Sequence, residues 1–506
     1  MKLGLARPIR SSCKISIFRQ GSGKQSVASL ALNSGFATMS VVPERVGELD
    51  PAAGWRHGLR SAFIAAAMLV AGLAGCVRYQ PSPLPHQPDL ATNLAALEVT
   101  VPASEASEPA HRIDVAKPLS IDDVGLLAIL NNPDLRSERG EMGIARARLL
   151  QATLLPNPVA SFNYGALITG PGTAPAIGGG LTQDIAAFVT RGARVQSAGR
   201  RLGQVDAHLL WREWQVAQKA RQLALDISAA DHAISLTEDE RQILARELGR
   251  VRAAVAAGNL TLVEVAPLAA AIAAAEQSLT TLQLDRLKNW QALDALLGLL
   301  PTARFAIAHP TLQALPDDLE PLIARIPDRP DLAALRLGYN SAEADLRAAI
   351  LGRFPGFILG ATYGSDTTGV VSAGPTFNLT LPVFDRNQGQ FATAAATRLL
   401  LHEQYQARLN SAVAYVRALT AQQHLLSKDL DTTRQAAEKS ADIAATARRA
   451  YAQGNLDQRS LSDYETTALE RVLQVAAIER QLGEDHIFIA VELGLGLPKT
   501  RIASAR

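Results

Sequence analysis

The chain has 506 residues, 48% hydrophobic but only 5% aromatic, with 50 Lys and Arg against 48 Asp and Glu. That length exceeds one small domain, and an apolar content built on Ala, Leu and Val suits close-packed helices. A net charge of +2 excludes a nucleic-acid binder resting on bulk charge, and two cysteines exclude a disulfide scaffold or a cysteine-based zinc site.

The N-terminus reads as a targeting region. Residues 1–38 hold Lys2, Arg7, Arg10, Lys14, Arg19 and Lys24 and no acid. That composition resembles a transit peptide, but translation starting at Met39 is the simpler reading, and Cys13 would then not be made. Residues 61–75 are apolar, follow Arg56 and Arg60, and are too short for a comfortable membrane span. They end in Leu73-Ala74-Gly75-Cys76, which matches the lipobox of bacterial lipoproteins. The resemblance implies cleavage before Cys76 and a diacylglycerol on its thiol. Val77, rather than Asp, at the next position then favours the outer membrane. The expected divisions are an extension and signal over 1–75 and a lipidated Pro-rich tether over 76–118.

From residue 119 the chain repeats itself. Asn132-Pro133-Asp134-Leu135 returns as Arg329-Pro330-Asp331-Leu332, and Pro158 as Pro355, both at a shift of 197. Leu181-Thr182 returns as Leu379-Thr380, Gly258-Asn259-Leu260 as Gly454-Asn455-Leu456, and Leu297-Gly298-Leu299 as Leu493-Gly494-Leu495, at shifts of 196 to 198. Five matches in one order mark a duplication. The repeats span 119–301 and 302–500, with a tail at 501–506.

Each repeat opens on a helix. Ser120 is a good N-cap with Asp122 and Asp123 behind it, and the pattern continues to about Leu155 before Pro156 and Pro158. Two strands follow. Ala160, Phe162, Tyr164 and Ala166 alternate with Ser161 and Asn163, and Ile177, Leu181 and Ile185 share a face. In the second repeat Phe357, Leu359, Ala361 and Tyr363 make one such run, and Phe377, Leu379, Leu381 and Val383 the next. A very long helix comes after them, over about 194–257 and about 388–453, reaching about 90–100 Å. Gly-Asn-Leu then turns each one into a returning helix, over about 262–297 and 458–492.

Four strands cannot close a barrel, and an open sheet cannot sit in lipid with its edge N–H and C=O groups unpaired. A core strand and a membrane strand look alike at this level. If the strands are in a membrane, chains must associate, and three chains would supply twelve strands in a closed ring.

The order, the duplication and three motifs resemble the TolC family of outer-membrane efflux proteins over roughly residues 119–500. The motifs are Asn-Pro-Asp-Leu at 132–135, Leu-Leu-Pro-Asn-Pro at 154–158 and Leu-Pro-Val-Phe-Asp-Arg-Asn-Gln-Gly at 381–389. The last is nearer to the heavy-metal (CzcC-like) branch. The resemblance implies a mainly α fold with a small β part. It also implies a homotrimer whose 12-strand β-barrel continues as a long α-helical periplasmic barrel. Such a duct would passively export metal cations or small toxic compounds, with a periplasmic adaptor, an inner-membrane pump and outer-membrane lipid as partners. Gly258, Asn259, Leu260, Gly454, Asn455 and Leu456 would form the periplasmic tip that meets the adaptor. Asp463 falls where the family often places an acidic ring that narrows the pore. Ser460, one turn earlier, is not an acid, which leaves any second ring without its carboxylate.

Little else points to chemistry. The nine His residues, among them His208, His232, His402, His424 and His486, form no i, i+4 pair. Gly178-Gly179-Gly180 lacks the Lys-Ser/Thr of a phosphate loop, and no Gly-x-Ser-x-Gly elbow occurs. The expectation is no enzyme, no cofactor, no metal site and no nucleic-acid partner. The alternative to a duct is a periplasmic adaptor or coiled-coil scaffold lipoprotein. Adaptors, however, carry one hairpin flanked by β-rich modules, whereas two hairpins are read here. A lipid-anchored enzyme would need a constellation that is missing.

Overall fold

The computed structural model describes residues 79–101, 111–312, 315–316 and 318–495. The signal segment, Cys76 and the C-terminal tail lie outside the described residues. Residues 79–86 form a unit of their own, irregular and exposed. The second unit begins at Gln87 and is mainly helical with a small sheet.

The Pro-rich segment differs from a free tether over much of its length. β1 (Thr100–Val101) pairs with β2 (His111–Arg112), and Ala91 and Leu119 bridge to Leu299 and Ile307. The reason is apolar burial: Val99, Val101, Ile113 and Leu119 lie in the main core.

α1 (Ile121–Asn131) starts on a reciprocal cap. The Ser120 hydroxyl accepts from the Asp123 N–H at 3.1 Å, and the Asp123 carboxylate accepts from the Ser120 N–H at 3.2 Å. The single helix expected to reach Leu155 is in fact two. Pro133 disfavours helical backbone at Asn132, so α1 stops there and α2 (Pro133–Thr153) begins. Asn132 serves both ends. Its Oδ1 accepts from the Leu135 N–H at 2.9 Å, and its Nδ2 donates to the Leu296 carbonyl at 3.0 Å.

β3 (Val159–Gly165) and β4 (Ala176–Asp184) follow, then α3 (Ala186–Ala256) and α4 (Val265–Leu297). The second half has a short α5 (Glu320–Ile323), then α6 (Pro330–Leu351), β5 (Gly356–Ser365), β6 (Val371–Thr380), α7 (Gln388–Ala452) and α8 (Gln458–Glu492). Helix, strand, strand, long helix and returning helix thus occur in the same order twice. With 71 residues, α3 is about 107 Å long. It packs along α1, α2, α4, α6 and α8, while α7 packs on α6 and α8. The main core lies where the N-terminal segment and α1 meet the middle of α3 and the end of α4, around Leu127, Ile227, Leu293 and Leu297.

The four long strands form one antiparallel sheet in the order β3-β4-β5-β6. Its register sorts the side chains, because residues directly opposite one another share a face. Phe162 lies opposite Gly179, Tyr164 opposite Ile177, Leu181 opposite Ala361, and Leu359 opposite Phe377. Those residues make one apolar face. Phe162 and Phe377 on it are 70% and 60% exposed, and the Phe357 and Phe377 rings stack at 6.2 Å. The other face holds Ser161, Asn163, Gly178, Gly180, Thr362, Ser372, Thr376 and Asn378.

The chain leaves the sheet for α7 through a shaped turn. Asn387 has φ 61, the left-handed region that Asn tolerates among non-glycine residues. Its N–H donates to the Asp385 carboxylate at 2.8 Å and its Nδ2 to the Ala349 carbonyl at 2.9 Å. The Asp-Arg-Asn-Gln motif is therefore a backbone requirement of this corner.

A buried ion cluster ties the second half together. Arg329 donates to Asp331 at 2.7 Å and also pairs with Glu492, and Arg408 donates to Asp331 at 2.6 Å. Both guanidiniums lie over the Trp211 ring, at 4.6 and 5.6 Å from its centroid, which fastens α3 to α6, α7 and α8. Burial alone would raise the Asp331 carboxyl, but Arg329 and Arg408 outweigh it and hold it below the usual carboxylate value. The stability it contributes is therefore present above the ordinary Asp value of 3.8 and lost as pH falls through the depressed one. Asp331→Ala strips Arg408 of its carboxylate and leaves buried Arg329 only Glu492, and unfolding followed by circular dichroism at pH 7 should show a loss of about 3 kcal/mol.

Candidate functional site

The two hairpin turns are built alike. At the first, Gly258 has φ 79, its N–H donates to the Val255 carbonyl and that of Asn259 to Ala254, both at 2.9 Å. At the second, Gly454 has φ 76, its N–H donates to Tyr451 and that of Asn455 to Ala450, again at 2.9 Å. Each is a left-handed helix end that satisfies two terminal carbonyls. A side chain at either glycine would meet no atom but would strain the backbone. Asp184 to Gly258 and Thr380 to Gly454 are equal lengths of chain, so each turn ends the long helix that follows its half's second strand.

Their side chains differ. Leu262 and Val263, just past Leu260, are 75% and 76% exposed. At the second turn Leu456 is half-buried and Asp457 caps α8, its Oδ1 accepting from the Ser460 N–H at 2.9 Å and its Oδ2 from the Ser460 hydroxyl at 2.7 Å. Those hydrogen bonds hold the Asp457 carboxyl below its ordinary value. Ser460 is thus a partner of the helix cap. Asp463 follows on α8, exposed, with buried Ser462 and Glu465 on either side of its stretch. Glu470 is also exposed, and seven residues' spacing puts it on the face of Asp463.

Behind the tips lies a buried acidic seam that motif reading missed. Thr237, Glu240, Leu244, Glu247 and Val251 of α3 are all buried, at the 3-4 spacing of a coiled-coil seam. Glu465 of α8, also buried, accepts from Arg448 Nε of α7 at 2.5 Å. Among the described residues Glu240 Oε1 has no hydrogen-bond partner. Burial, reinforced by Glu465 and opposed by Arg448, pushes the Glu240 carboxyl up to about 7. Heptad spacing was the available signal, since it would have placed both acids in the seam.

Further up, Arg480 of α8 donates to Asp226 of α3 at 2.9 Å and to Glu484 at 2.6 Å. Burial first, and then Glu484, raise Asp226 to about 6. Three of the scattered histidines, His232, His309 and His486, line one cavity of about 540 Å³ there with Arg434 and Arg480. Among the described residues no group of His, Cys, Asp and Glu is arranged to hold a metal ion.

These features define a class: paired helical hairpins hung from a four-stranded, two-faced sheet. The structure of the Neisseria gonorrhoeae MtrE outer membrane channel in its open state shares the fold at TM-score 0.64 and 18% identity, covering 83% of this chain and 99% of that one. The Vibrio cholerae outer membrane protein VceC matches at TM-score 0.64 and 18% identity, covering 75% and 97%. CusC, whose structures concern folding and transmembrane channel formation, matches at TM-score 0.64 and 16% identity, covering 74% and 92%. No relative among curated sequences matches. The family model for outer membrane efflux proteins matches residues 326–491. Over that segment the chain is similar to outer membrane efflux proteins, which agrees with the TolC-like resemblance of its motifs. The family so matched consists of transport ducts without catalytic chemistry.

The raised Glu240 carboxyl makes the region behind the tips sensitive to pH. The protonated form is favoured by folding, so its contribution is full below about 4.5 and lost as pH rises through about 7. Hydrogen exchange of the 237–251 amides should show local stability falling by on the order of 2–3 kcal/mol between pH 5 and pH 8. Glu240→Gln should flatten that profile and exceed the wild type at pH 8.

Proposed function

We propose that the chain is one protomer of a trimeric outer-membrane duct, the exit of a tripartite efflux pump. The observation that carries this reading is the sheet, with one exposed apolar face, one face of small and polar residues, and two outer edges. Three copies would close twelve strands, with Phe162, Leu181, Leu359 and Phe377 toward lipid and Ser161, Thr362, Thr376 and Asn378 toward a wet lumen. The long helices would continue that lumen into the periplasm, and passage would be passive, driven by an inner-membrane pump. The expected cargo is metal cations or small toxic compounds. Two complete hairpins and four barrel-length strands favour this over an adaptor or scaffold lipoprotein.

The turns at Gly258-Asn259-Leu260 and Gly454-Asn455-Leu456 would meet the periplasmic adaptor, since both end the long helices at the end away from the sheet. Cys76 would carry the lipid anchor at the mature N-terminus, which mass spectrometry of that terminus checks. An unmodified terminus elsewhere would remove the anchor and leave the duct. Asp463, exposed on α8, would join its two symmetry mates near the axis as a cation-attracting constriction.

Purified protein in planar bilayers should give discrete conductance steps, and multivalent cations added from the tip side should block them. Asp463→Asn should weaken that block at least several-fold. Equal block in both would take Asp463 out of the pore, and failure of wild type to conduct would overturn the duct itself.

A further inference from the structure

Charge is segregated sharply around the sheet. The four strands hold one charged residue, Asp184, and the far turns at 166–175 and 366–370 hold only Asp366. At the helical end the pattern reverses. Within 146–156, 185–201, 347–355 and 381–398 stand Arg146, Arg148, Arg191, Arg194, Arg200, Arg201, Arg347, Arg353, Arg386 and Arg398, against Asp385 as the sole acid. Among the described residues only Arg398 of these has a carboxylate partner, Glu343 at 3.3 Å. Exposed apolar residues are interleaved with them: Leu150, Leu154 and Leu155 after Arg148, Phe188 before Arg191, Phe354 after Arg353 and Phe384 before Arg386. An arginine collar mixed with exposed apolar side chains at the rim of an apolar sheet is the composition of a membrane–water boundary.

Three of the guanidiniums converge. Arg148 of α2 and Arg194 and Arg201 of α3 line a cavity of about 570 Å³ with His208, and Glu141 and Asp345 also line it. Arg194 Nη2 donates to the Ala187 carbonyl at 3.0 Å, which holds its head while leaving donors over. Guanidiniums match phosphate oxygens in geometry and charge.

We propose that this cavity seats the phosphate headgroup of a glycerophospholipid from the helical-side leaflet. The acyl chains run along Leu150, Leu154 and Leu155 toward the apolar face of the sheet. The proposal rests on the membrane reading of that sheet. A bound lipid at this level would fix how deep the sheet sits, independently of any anchor at Cys76.

The test titrates detergent-extracted protein with phosphatidylglycerol and counts adducts by native mass spectrometry. Wild type should retain phosphatidylglycerol and not diacylglycerol of the same chains. Arg148→Gln with Arg201→Gln should weaken retention by about tenfold or more, while Arg148→Lys with Arg201→Lys should hold most of it. An unchanged melting temperature in the Gln pair separates headgroup loss from misfolding. Equal retention in wild type and the Gln pair, or equal retention of diacylglycerol, would overturn the site. Bilayer conductance on the same samples keeps the readings apart: conducting wild type with Arg-independent lipid retention sinks the headgroup site and leaves the duct.

Discussion

The outer edges of β3 and β6 each present a row of backbone N–H and C=O groups, and the sheet between them turns an apolar face outward. Neither feature is stable alone. Water accepts the edges but not the face, and lipid accepts the face but not the edges. Both demands would be met together if the β6 edge of one copy paired with the β3 edge of the next, so that the sheet became a closed surface. In the proposed ring, an even number of antiparallel strands per chain would let β6 of one copy meet β3 of the next antiparallel.

The helices are held by different means at different levels. Near the middle the chain uses an apolar core and a buried Arg329–Asp331–Arg408–Glu492 cluster stacked on Trp211, a fixed junction between α3 and the second half. Toward the tips the apolar contacts thin to a few residues such as Leu244, Leu248, Val251 and Leu268, and buried carboxylates enter the seam. A seam with Glu240 and Glu247 in place of apolar residues is weaker, and its strength depends on protonation. The junction near the middle is thereby held by more apolar contact than the tip end.

Much of this was legible from local chemistry. Ser120, the Gly-Asn turns and the Leu-Gly-Leu stops each mark a backbone requirement, and all four turn and stop glycines named (Gly258, Gly298, Gly454 and Gly494) have positive φ. Boundaries slipped where local signals conflict. α3 begins at Ala186 rather than near Arg194, because Val189, Thr190 and Gly192 dilute the helical pattern. β6 begins at Val371, ahead of the alternating run from Phe377, because pairing with β5 from Ser365 onward carries Gly374 and Pro375 into the sheet. What stayed hidden is tertiary. Arg329 and Asp331 read only as a copy of Asn132 and Asp134, and nothing adjacent in sequence announces Arg408 or Trp211 as their partners. The cavity lined by His232, His309 and His486 likewise joins three distant segments.

The account stands or falls on the edge-to-edge closure of the sheet. Cysteine pairs scanned along the two edges, beginning with Ser161→Cys and Asn378→Cys on the lumen face, test it directly. Oxidation in native membranes should yield a covalent ladder ending at three chains for at least one register, and single-cysteine chains should give none. A chain that cross-links only to itself, or a ladder ending at two, would contradict the shared barrel.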